Sequence, residues 1–110
     1  GNGTDEDDTK AIKWYTKSSE QENSAAMCCL GECYGGGEGC DRNETKAVEW
    51  FEKSANAGNS SAMFNCGVSY QYEQGVTEDI NTAREWYTKA AAQGHATAQT
   101  QLDQLNASNN

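Results

Sequence analysis

Five cysteines and one histidine are the residues of this 110-residue chain whose types suit nucleophilic, redox or metal chemistry. Cys28, Cys29, Cys33 and Cys40 fall within thirteen positions, a density that raises a zinc site. Zinc ligands come as Cys-x2–4-Cys knuckles facing one centre. Adjacent residues on a helix diverge by about 100°, so Cys28 and Cys29 do not converge with the others, and no metal or other cofactor is expected. His95 has no nucleophile or phased carboxylate beside it and stands where a helix N-cap belongs, so capping is expected of it.

Disulfide chemistry suits the cysteines better. Their number is odd, so at most two intrachain bridges form and one thiol is left over. Cys33 lies near the end of an expected helix and Cys40 on the loop folding back over that end, making Cys33–Cys40 the first candidate. A bridge from Cys28 or Cys29 to Cys66, on the parallel neighbouring helix, is the second. The alternative is that Cys66 is a small core residue, since it shares a repeat position with Leu30 and Leu102. The run Gly35–Gly36–Gly37–Glu38–Gly39–Cys40 resembles a phosphate cradle in composition alone. No strand precedes it and no Gly-Lys-Ser follows, so it reads as a turn.

Seventeen acidic residues against eight basic ones leave a formal charge of −9, which argues against nucleic acid or an anionic membrane as partner. No apolar run approaches the roughly 20 residues of a membrane span. No signal-peptide core is present either, although a mature secreted chain would lack one too. Asn-x-Ser/Thr acceptors occur at Asn2, Asn43, Asn59 and Asn106. With the cysteines they favour an extracellular or periplasmic setting over a cytoplasmic one.

The elements that position these residues repeat. Trp14, Trp50 and Trp86 stand 36 residues apart, as do Tyr15, Phe51 and Tyr87, and Lys17, Lys53 and Lys89. A fixed period of this size is the mark of a stacked array. Asp7, Asn43 and Asp79 precede each Trp by seven residues and suit helix N-caps, so first helices are expected from about residues 8, 44 and 80. Asn23, Asn59 and His95 are expected to cap the second helices. Within 47–55 the residues Ala47, Val48, Trp50, Phe51, Ser54 and Ala55 follow the spacing of one buried face. The three Trp and their aromatic neighbours Tyr15, Phe51 and Tyr87 are therefore expected in the core. The Lys ladder has two readings: a stripe that reads acidic peptide in a groove, or lysines complementing the negative ends of their own helices.

The pattern Leu30–Gly31, Tyr34, Gly37, Gly39, Asn43, Lys46–Ala47, Trp50–Phe51, Lys53, Ala55 and Gly58 resembles the Sel-one-like repeat, a relative of the tetratricopeptide repeat. Gly75–Val76–x–x–Asp79 fits the family's loop. Cys40, Glu73 and Glu22 depart from it locally. The resemblance implies an all-α, right-handed solenoid of three 36-residue helix-turn-helix repeats, over about 7–42, 43–78 and 79–106. Residues 1–6 are then a flexible acidic tail and 107–110 a second tail.

The same resemblance implies scaffolding by protein or peptide association and no catalysis. A cysteine-rich secreted branch of the family includes hydrolases, but its bridge would join positions held here by Ser19 and Met27, and by Ala55 and Met63. Neither end of the array shows an evident polar cap: Ile12, Trp14 and Tyr15 stand at one, Leu102 and Leu105 at the other. Two expectations follow: a segment of a longer array, or, as the alternative function, a glycosylated extracellular fibre of chains joined head to tail.

Overall fold

A computed structural model describes residues 13–17, 23–37 and 41–108, and all secondary structure among them is helical. Residues 13–17 form α1. It is followed by α2 (Ser24–Gly36), α3 (Glu44–Asn56), α4 (Ser60–Gln71), α5 (Ile80–Ala92) and α6 (Ala96–Ser108). From α2 onward each helix packs on the next in the chain, α2 on α3, α3 on α4, α4 on α5 and α5 on α6. Helices that pack on their sequence neighbours make an α-solenoid.

The helix starts follow from short side chains placed one residue ahead. The Asn23 carboxamide oxygen accepts from the amides of Ala25 and Ala26. Asn43, Asn59 and Asp79 accept in the same way from Lys46, Ala62 and Thr82, at 3.0, 2.9 and 3.1 Å. At the start of α6 the Ala98 amide donates to His95 Nδ1 at 3.1 Å, so His95 caps through its ring. Each acceptor satisfies an amide that has no partner inside its helix. Asp7 lies outside the described residues.

Helix ends rely on left-handed residues. Gly58 (φ 101°) and Gly94 (φ 91°) close α3 and α5, where glycine has no β-carbon to strain. Gly37 (φ 72°) ends α2, so Gly35 and Gly36 belong to its last turn and not to the turn expected there. One repeat later Glu73 occupies the position of Gly37 and takes φ 54° despite its side chain. The connections then close identically: the Asn43 amide donates to the Tyr34 carbonyl at 2.8 Å, and the Asp79 amide to the Tyr70 carbonyl at 3.0 Å.

The core runs along the helix contacts. Leu30, Ala47, Val48, Ala55, Ala62, Cys66, Ala83, Tyr87, Ala90 and Ala98 are buried. Alanines at 26, 62 and 98 let paired helices approach closely, and the buried Ser54 hydroxyl donates to the Ser24 carbonyl at 2.6 Å. At the far end Leu105 is buried and Leu102 packs against the core. The outward positions of α6 are Gln99, Thr100 and Asp103, all exposed, where α4 has Met63, Phe64 and Gly67. That face is polar, which corrects the expectation that this helix presents uncovered apolar surface.

Candidate functional site

On α3 and α5 the same pair of side chains stands on one face. Lys53 Nζ lies 4.7 Å from the centre of the Trp50 ring, and Lys89 Nζ lies 4.8 Å from that of Trp86. A spacing of three residues brings each pair together on the helix surface. The cation is drawn to the negative face of the ring. Both lysines also sit in the last turns of their helices, where their charge complements the helix dipole. Lys17 and Trp14 occupy the same positions on α1, and both are exposed.

Of the tryptophans expected in the core, Trp86 packs against it while partly buried, and Trp14 and Trp50 are not core residues. Trp14 is 63% exposed, with its ring edge-on to Tyr15, while Trp50 and Trp86 are half-buried. The buried aromatic of each repeat is its neighbour, Phe51 or Tyr87. Tyr15 is half-buried, and the adjacent Cys29 sulfur raises its hydroxyl above the ordinary tyrosine value. The reason for the exchange is on the preceding helix, where Gly31 and Gly67 leave room for a ring. A β-carbon at either position would stand 2.5 Å from a carbon of Phe51 or Tyr87. Tryptophan, one residue earlier and about 100° around the helix, is left at the flank. These two glycines have no chemistry of their own; the family pattern includes Gly31, and Gly67 follows it by the 36-residue period.

The cysteines do not assemble into a reactive centre among the described residues. Cys28 and Cys66 are buried, and burial, with the Glu32 carboxylate as second cause, pushes the Cys28 thiol up to about 12. Burial raises Cys66 as well, helped by Glu52. A thiol held protonated is a poor nucleophile and a poor metal ligand. Cys29, next along α2, is half-buried beside Tyr15, so the adjacent thiols diverge. Cys28, Cys29 and Cys66, the candidates for the second bridge, are free cysteines in the structure. For the first, Cys33 is buried on α2 and Cys40 lies outside the described residues.

His95 stacks on Phe64 with ring centres 4.9 Å apart and planes 14° apart, its Nδ1 engaged by the Ala98 amide. The acceptors Asn43 and Asn59 are helix caps, and Asn106 is exposed on α6, while Asn2 lies outside the described residues. Capping alone accounts for asparagine at 43 and 59.

The helical repeat fold is shared with proteins of known structure. The Sel1 repeat profile matches residues 1–23, 24–59 and 60–95. The chain belongs to the Sel1 repeat family. A Sel1 repeat protein from Oxalobacter formigenes superposes with a TM-score of 0.82 at 36% identity, covering 84% of this chain and 70% of that one. The antigen c5321 of uropathogenic Escherichia coli, which displays the same repeat fold, gives 0.83 at 33% identity. That alignment covers 86% of this chain and 20% of the antigen. Helicobacter pylori cysteine rich protein B shares the fold, with a TM-score of 0.78 at 19% identity over 81% of this chain and 67% of that one. Comparison with curated protein sequences gave no match. Sel1 repeat proteins are in general protein-interaction scaffolds.

Proposed function

We infer that this chain is a non-catalytic scaffold that binds a segment of a partner protein along its first helices. The observation carrying this reading is the recurrence of a half-buried Trp under a Lys, Trp50–Lys53 and Trp86–Lys89, on one face of successive repeats. Half-buried aromatics offer a partner apolar area that is already held in place, and the lysines select acidic residues within the segment. The raised thiols of Cys28 and Cys66 and the capping role of His95 give these three residues structural roles. The polar outward face of α6 counts against the head-to-tail fibre, because α5 meets apolar surface and a glycine on α4.

A peptide array tests the reading. The chain is expected to select segments with acidic residues beside an apolar one, and Lys53→Glu with Lys89→Glu is expected to abolish that selection. An unchanged profile in the double variant would sink it. Exclusion chromatography separates this from fibre formation, which requires particles that grow with concentration.

A further inference from the structure

A cleft of about 270 Å³ lies between α2 and α4, with Phe51 of α3 among the residues lining it. Gly35 and Val68 line its sides, and the exposed Glu32 and half-buried Glu44 bring carboxylates to its opening. It shares no residue with the Lys53 face. One repeat later the equivalent positions differ in concert. Gly35 becomes Gln71 and Phe51 becomes Tyr87, and the Tyr87 hydroxyl donates to Gln71 Oε1 at 2.6 Å. Glu32 and Glu44 become Val68 and Ile80. The second site therefore carries an amide and a hydroxyl bonded to each other. The first lacks both, and has two carboxylates where the second has apolar side chains.

We propose that this cleft takes the side chain of an arginine or lysine presented by a partner protein. In the second site the Gln71 side chain shows the shape of the occupant: an aliphatic stem carrying a polar head. In the first site the stem lies against Phe51 and Val68, and the head meets a carboxylate. Glu44 is already paired with Arg42. Glu32 makes, among the described residues, a long contact with the Cys28 thiol at 3.9 Å, so its oxygens receive the incoming cation. The chain's charge of −9 draws such a partner from a distance.

Amide NMR spectra of the full chain, titrated with a blocked Gly-Arg-Gly peptide and with its citrulline counterpart, test the proposal. Citrulline keeps the shape of arginine and loses the charge. The arginine peptide is expected to shift Glu32, Phe51 and Val68 saturably and the citrulline peptide to leave them unmoved. Glu32→Gln is expected to weaken the arginine peptide about tenfold. Gly35→Gln combined with Phe51→Tyr copies the arrangement at 71 and 87, and is expected to abolish the titration while circular dichroism stays helical. Equal shifts from both peptides overturn the proposal. So do shifts confined to the Lys53 and Lys89 face, no saturable shift at millimolar peptide, or unchanged binding to Glu32→Gln. None of these outcomes touches the acidic-segment reading, which stands on other residues.

Discussion

The Tyr87 ring lies against Gly67, so close that a β-carbon there would fall 2.5 Å from ring carbon Cε1. Gly31 stands to Phe51 in the same relation one repeat earlier. Gly67→Ala is expected to destabilise the chain by about 1–3 kcal/mol, because the buried ring has no space into which to retreat. Gly35→Ala is the control: its β-carbon would meet Ala47 Cβ at 3.6 Å, an ordinary contact. In a helix it should stabilise by about 0.5–1 kcal/mol. Urea denaturation of both variants checks the pair, and the same sign for both would show that ring contact does not decide.

Phe51 and Trp50 are neighbours with different work. Phe51→Ala is expected to cost about 3–5 kcal/mol as a buried aromatic deletion. Trp50→Ala removes a half-buried ring and one cation–π contact and should cost about 1–2 kcal/mol. Thermal melts that rank them in the opposite order would mean that the tryptophan, and not its neighbour, anchors the repeat.

Acid should weaken the start of α5. The Thr82 amide donates to Asp79, and this backbone bond holds the carboxyl below the ordinary carboxylate value. The folded value is the lower one, so the contribution is present above the unfolded value and is lost as pH falls through the folded value. Asp79→Asn keeps the oxygen acceptor and does not titrate. Its melting temperature is expected to fall less steeply with acid than the parent's, and parallel profiles would remove Asp79 from the acid response.

Thiol labelling distinguishes the cysteines. With iodoacetamide at neutral pH, Cys29 is expected to label in the native chain, while Cys28 and Cys66, buried and held protonated, label only in denaturant. Peptide mass spectrometry reads this directly. Rapid native labelling of Cys66 would show that the α3–α4 packing opens readily, and a Cys28–Cys66 cross-link in unreduced protein would contradict the free thiols.

Much of the fold was legible because it is local. Asn43, Asn59, Asp79 and His95 each satisfy an amide three residues ahead, so identity and position suffice to read the cap. The 36-residue period placed the helices, and the pattern from Leu30–Gly31 to Gly58 carried the family resemblance. Glu73 shows the limit even of local reading: its position identifies a loop departure, and only the backbone shows that the side chain tolerates φ 54°.

What lay beyond the sequence were choices between neighbours. Trp50 and Phe51 both lie on the apolar arc of α3, and which one is buried depends on where Gly31 sits on another helix. The separation of Cys28 from Cys29 depends likewise on which helices flank α2. The cleft at Glu32 arises because Gly35 and Phe51, sixteen positions apart, line one space from two helices and lack the groups that bond to each other at Gln71 and Tyr87. Caps and periodicity answer to forces within one helical turn, which the order of residues specifies. Burial and cavities answer to the relative placement of helices, and that is settled only when α2, α3 and α4 pack.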